Sequence, residues 1–259
     1  MTELRSAALV FALLLASAGA GLFVQRFLTD AHRSRESREL SQAVTGMLVT
    51  FTALVLGLLI GAAKQAFDQA DTDVKTYAVA LVELGQVLRD LGPEGDPARG
   101  LLRDYVARAI ATTWVDEPAP AARPAAPPPG VEGAALGAVL DRVECEIRRL
   151  SGDDAPRSLL AAAAVRFERV EQARWKLIEG ARDSIPLPFY RVLVFWLTIV
   201  FASLGLIAPR NALSGAMIVL AAVAIASAVF AAMELDGAFG GLLAVSSSPL
   251  RDALAHLGG

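Results

Sequence analysis

The chain predicts an all-α membrane protein: four transmembrane helices in two hairpins, with a helical extramembrane domain between the second and third spans. Two observations carry that expectation. Four apolar stretches, 6–24, 43–63, 192–208 and 212–233, contain no Asp, Glu, Lys, Arg or His. Each is about long enough to cross ~30 Å of hydrocarbon at ~1.5 Å per residue. They also come two and two, separated by the polar stretch 64–185. A soluble enzyme of 259 residues has no core that could take up four such segments. A hydrophobic content of 54% and a mean hydropathy of +0.48 fit a polytopic chain with one modest extramembrane domain.

The first span carries a rival pattern, since Ala16-Ser17-Ala18 and Ala18-Gly19-Ala20 follow the apolar run 7–15 as small-residue cleavage sites do. Glu3 offsets Arg5 in front of that run, and Gly21-Leu22-Phe23-Val24 prolongs it, so a retained helix is the expectation. The connection 25–42 reads as a short charged loop, with Arg35, Glu36, Arg38 and Glu39 as a solvated connector. The second span should run on without a break. No Gly or Pro interrupts 62–84, and Val74, Tyr77, Ala78, Leu81, Leu84, Leu88 and Leu91 keep steps of three and four. Gly92-Pro93 stops it.

A second helix of the domain carries Leu102, Tyr105, Val106, Ala109 and Ile110. The segment 118–129 then holds six prolines, a linker that no helix tolerates. A third helix has Leu136, Val139, Leu140, Val143, Ile147 and Leu150, and the lone Cys145 within that run reads as a buried thiol. The fourth starts near Ala155-Pro156 and carries Leu160, Ala163, Phe167, Val170, Leu177 and Ile178. The organisation is therefore an N-terminal transmembrane hairpin (1–63), a helical domain (64–185), a C-terminal transmembrane hairpin (186–235) and a tail (236–259).

Four spans put both termini and the domain on one side. The basic residues near membrane ends there are Arg5, Lys64, Lys75, Arg174, Lys176, Arg182, Arg191 and Arg251. The other side holds Arg26, Arg33, Arg35, Arg38 and Arg210. Eight against five places the domain in the cytoplasm of a cell whose inner membrane the chain crosses. A net charge of −3 and a pI near 5.5 give no basic surface for nucleic acid.

No catalytic constellation is present. His32 and His256 stand apart from any Cys, His or carboxylate cluster at metal spacing, and there is no Gly-rich phosphate loop. Neither an enzyme, nor a metal, nor a cofactor is expected. Lys64, Arg191, Glu234 and Asp236 all fall at span ends, which disfavours a carrier coupled to protons through a mid-membrane charge.

The second span holds the candidate functional surface. Gly46, Thr50, Ala53, Gly57 and Gly61 share one face and end at Lys64. Gly57-x-x-x-Gly61 lets helix backbones approach closely, so this face reads as packing within the chain or between subunits. Alternatively it is a pore wall, where small residues leave room. A different face carries Thr45 and Thr52 with Leu48, Leu56 and Leu59, and it too could line a narrow pore. Moving an ion into hydrocarbon is costly by tens of kcal/mol, so conduction would run between subunits of a homo-oligomer.

Several segments resemble a family of bacterial membrane proteins called bestrophin-like. They include 50–67 with its Gly-Leu-Leu-Ile-Gly core, Leu91-Gly92-Pro93-Glu94, Ala98-Arg99-x-Leu101-Leu102-Arg103 and Ser184-Ile185-Pro186-x-Pro188-Phe189. Val194-Phe195-Trp196-Leu197, Ala208-Pro209-Arg210-Asn211, Glu234-Leu235-Asp236 and the tail Ser247-x-Pro249-Leu250-Arg251-Asp252-Ala253-Leu254 complete the pattern. The resemblance implies two helix pairs around a cytoplasmic helical domain, with Pro209, Arg210, Asn211, Asp236, Phe239, Pro249 and Arg251 as motif residues. It also implies kinship with channels for small anions in the bilayer, against the alternative of a non-conducting scaffold or sensor acting through the domain. Where relatives read Leu-Asp-Arg-Pro-Phe, this chain has Leu235-Asp236-Gly237-Ala238-Phe239. With only Glu234 and Asp236 nearby, a Ca²⁺ shell of about six to eight oxygens is not supplied, and calcium gating is not carried over.

Overall fold

A computed structural model of the chain describes residues 2–27, 35–115, 134–150, 156–180 and 187–258. Every regular element among them is helical. Eight α-helices follow in order: α1 (Thr2–Val24), α2 (Arg35–Asp90), α3 (Asp96–Thr113), α4 (Ala134–Arg149), α5 (Arg157–Gly180), α6 (Leu187–Ile207), α7 (Ala212–Asp236) and α8 (Ser248–Gly258). Four of them, α1, α2, α6 and α7, are long and apolar enough to cross a membrane. The Pro-rich segment 118–129 lies outside the described residues, as do His32, Arg33 and the junction Ser184-Ile185-Pro186.

The second helix is continuous over 56 residues. It already starts at Arg35, so the charge run Arg35, Glu36, Arg38 and Glu39 belongs to its first turns and not to a connector. Glu and Arg are good helix formers, and nothing in the run breaks a helix. At the far end Gly92 takes φ +68, which a residue with a Cβ resists, and a short 3₁₀ turn over Gly92–Glu94 leads into α3.

The chain divides into two compact units. The first comprises 1–66, 183–237 and 241–243. Its core is built from Val10, Leu14 and Ala18 of α1, Leu193, Leu197, Val200 and Phe201 of α6, and Ala222 and Val229 of α7. From α2, Leu48, Val55, Leu56 and Leu59 pack against it. Between α6 and α7 the chain turns in four residues. Asn211 caps α7, its side-chain oxygen accepting from the Ser214 amide at 2.8 Å.

The second unit comprises 67–182, 238–240 and 244–259. Its core joins the later half of α2 to α3, α4, α5 and α8. The hydroxyls of Tyr77 and Tyr105 meet at 2.5 Å inside it, and burial raises the pKa of Tyr105, partly opposed by Tyr77 and Arg174. Asp73 is buried but paired, receiving Lys176 Nζ at 2.8 Å and Gln69 Nε2 at 2.9 Å. The tail carries α8, whose Leu250, Ala253 and Leu257 are buried. Cys145, expected in the interior, is exposed. The buried stripe of α4 is Leu136, Val139, Leu140, Val143 and Ile147, and a residue two places past Val143 points to the opposite side of a 3.6-residue turn.

Candidate functional site on the second helix

An α-helix shows each neighbour one stripe of residues three and four apart. On α2 the stripe turned toward the first unit's core contains Thr45, Thr52 and Ala63, all buried, together with the partly buried Leu48, Leu56 and Leu59. The two threonines are therefore interior residues of the first unit. Thr52 donates its hydroxyl to the Leu48 carbonyl at 2.7 Å, one turn back.

The opposite stripe is uncovered. A Cβ added at Gly46, Gly57 or Gly61 would meet nothing within 4 Å. Thr50 is exposed, its hydroxyl donated to the Gly46 carbonyl at 3.0 Å, and Lys64 stands exposed at the end of the row. Beside it runs a second outward row of large residues, with Met47, Phe51, Leu54 and Leu58 all more than half exposed. Of the most apolar 18-residue stretch of α2, 11% is buried, against 33% for α1, 28% for α6 and 22% for α7. The second helix is thus the least enclosed of the four.

Close backbone packing does occur in this unit, at two other glycines. A Cβ on Gly21 would collide with the Ala202 carbonyl oxygen and come within 2.8 Å of the Leu206 amide. One on Gly205 would collide with the Ala18 carbonyl oxygen. Here α1 and α6 cross with backbone against backbone. Ser17-x-x-x-Gly21 carried that signal in the sequence, at the same spacing as Gly57-x-x-x-Gly61.

The motif residues scatter by role. Pro209, Arg210 and Asn211 form the α6–α7 turn, where Arg210 Nε donates to Gln25 Oε1 at 3.0 Å. Asp236 ends α7. The carboxylate that organises the following turn is that of Glu234, buried and accepting from the Leu242 amide at 2.8 Å. Gly241 at φ +88 makes this possible, since a Cβ there would strike the same carboxylate. In the second unit, Phe239 stands edge-on to Trp114 with centroids 5.6 Å apart, and the Trp114 indole donates to the Val245 carbonyl at 2.6 Å. Pro249 and Arg251 lie on α8, with Arg251 Nε donating to Ser247 Oγ at 2.7 Å. Among the described residues, no group of three or more His, Cys, Asp or Glu is placed to hold a metal ion.

The bestrophin-like domain profile matches residues 11–250, nearly the whole chain. The chain belongs to the bestrophin-like family. Its fold is shared with crystal structures of a bacterial bestrophin homolog from Klebsiella pneumoniae. One point mutant of that homolog gives a TM-score of 0.70 at 13% identity, covering 97% of this chain and 99% of the other. A second gives 0.68 at 16% identity, covering 100% and 99%. At this identity the likeness establishes the fold. No curated protein matches the chain. A bestrophin-like chain with four apolar helices is a membrane protein.

Proposed function

We propose that this bestrophin-like protein is a homo-oligomer that passes small anions between its subunits, with α2 nearest the shared axis. The observation that carries the reading is the uncovered small-residue stripe Gly46, Thr50, Gly57 and Gly61 on the least enclosed of the four apolar helices. An ion must keep water or polar groups around it to avoid a desolvation penalty of tens of kcal/mol. The first unit's interior is filled by Leu14, Leu193, Leu197 and Phe201, so a path through one subunit is closed. Copies of a slim helix face arranged around an axis leave room for a wet path, and Lys64 at the end of the row favours anions.

The reading includes the membrane arrangement: α1 with α2 and α6 with α7 as hairpins in a bacterial inner membrane, and 64–185 with both termini in the cytoplasm. Basic residues support that orientation. It is checked with single cysteines, Ala125→Cys and Ser34→Cys, in a Cys145→Ser background. An impermeant maleimide applied to intact cells is expected to label position 34 and not 125. The reverse pattern overturns the orientation.

The function itself is tested with purified protein in liposomes. An oligomer in detergent and anion flux on reconstitution are expected. A monomer at all concentrations removes the channel. A well-assembled oligomer that passes no anion at several voltages leaves the scaffold acting through its helical domain.

A further inference from the structure

Where the end of α1 meets the α6–α7 turn, the first unit carries a groove of about 440 Å³, within the ~300–1,000 Å³ typical of ligand pockets. Gly19, Leu22, Phe23 and Ile218 give it apolar walls, and Arg26 and Arg210 stand among its lining residues. The arginine at 210 is held in place. Gln25 donates its side-chain amide to the Ala208 carbonyl at 3.2 Å and accepts Arg210 Nε at 3.0 Å, which ties the end of α1 to the turn. A guanidinium has five N–H donors, and this bond takes the one on Nε, so the two terminal nitrogens remain as a fork. Among the described residues neither Arg26 nor Arg210 has a carboxylate partner.

Three apolar helices end at this level, so the groove sits where hydrocarbon gives way to water. Phe23, one of the lining residues, stacks edge to face with Phe27, 5.2 Å between centroids, and adds to the apolar wall. Two cations with no carboxylate partner among the described residues, above an apolar slot at that depth, complement a molecule with an anionic head and a hydrocarbon tail. The start of α7 adds the positive end of a helix dipole to the same spot. We infer that this groove is a binding site for an anionic phospholipid, with one acyl chain along Leu22, Phe23 and Ile218 and the phosphate between Arg26 and Arg210. The site joins α1 to the α6–α7 turn and does not depend on whether the protein conducts.

The test is native mass spectrometry of the full chain in detergent, offered phosphatidylglycerol and phosphatidylcholine in equal amounts. Wild-type protein is expected to retain phosphatidylglycerol in preference. Neutralising one arginine, Arg26→Gln or Arg210→Gln, should lower that retention about fivefold, and the double variant should retain the two lipids equally. Gly215→Leu and Gly19→Leu keep both charges and add bulk to the slot, and a Cβ at either position meets nothing within 4 Å. They should lower retention of both lipids. Unchanged preference in the double arginine variant, or unchanged retention in both glycine variants, overturns the site. Displacement of the lipid by millimolar inorganic phosphate also overturns it, because the arginines would then be taking a free anion.

Discussion

Two pairs of glycines in the apolar helices have opposite surroundings. Gly21 and Gly205 sit where the backbones of α1 and α6 touch, and no side chain fits at either position. Gly57 and Gly61 sit on α2 facing open space. Both sets lie in apolar runs, and both include a small residue four places away. The difference lies in the partner. A small-residue stripe marks a place where something comes close, and of these two stripes the one at the α1–α6 crossing has that something within the described residues. In the proposed assembly the neighbour of α2 is a second copy of the chain.

The largest expected effect is at the closed pair. Gly21→Val or Gly205→Val puts two methyl groups into a neighbouring carbonyl, and the obstruction is backbone that no rotamer change can move. Overpacking typically destabilises by ~1–3 kcal/mol and sometimes more, and here the whole α1–α6 contact must open. Both variants should lose most of the monodisperse protein seen by size-exclusion chromatography. A wild-type yield from either would break the closed half of the comparison.

Gly57→Leu and Gly61→Leu sharpen the open half. Each chain should fold, because a Cβ at either position meets nothing within 4 Å. The assembly should shift to smaller or aggregated species, because close backbone contact between copies is blocked. Chemical cross-linking in membranes reads the subunit number before detergent intervenes. Wild-type assembly for both variants would remove α2 from the subunit interface, and with it the placement nearest the axis.

The helical class and the four long apolar helices were legible because hydrocarbon imposes a length and forbids charge, and both constraints are written in local composition. The unbroken α2 was legible for a similar reason: no Gly or Pro interrupts 62–84, and the buried stripe from Val74 to Leu88 keeps helical spacing. Which helix faces which was not. Gly21 and Gly57 look alike until tertiary contacts distinguish them, and Thr45 and Thr52 look as suited to a wet lumen as Thr50 does. Cys145 was misplaced because a helix interleaves buried and exposed positions, so membership in an apolar run does not fix a residue's side. The turn-organising role of Glu234 and the contact of Trp114 were not legible, because they depend on partners eight and 131 residues away. Local pattern carries no information about such pairs.

A weaker contrast lies along the outer surface of α2 itself. Leu58 is 66% exposed and follows Gly57, about 100° further round the helix. If that row faces lipid, acyl chains fill the volume that Leu58→Ala removes, and assembly should match wild type in the cross-linking assay. A loss of assembly as large as that of Gly57→Leu would widen the interface to include the Met47, Phe51, Leu54 and Leu58 row.

The smallest expected effect is at Thr52. Its hydroxyl bonds the Leu48 carbonyl, which already lies in the helix hydrogen-bond ladder, so the bond adds little. Thr52→Val keeps the branched shape, removes a polar atom from the subunit interior and leaves no partner stranded. Thermal stability in detergent should change by no more than about 0.5–1 kcal/mol, and anion flux in liposomes should stay at the wild-type rate. Thr50→Val offers the matched control on the uncovered stripe, where the same replacement removes a hydroxyl from the proposed conducting surface. Flux that falls for Thr50→Val and holds for Thr52→Val places the wet face on the glycine side of α2. The opposite result would put the path on the face that the subunit buries against its own core, which requires α2 to rotate away from Leu197 and Phe201.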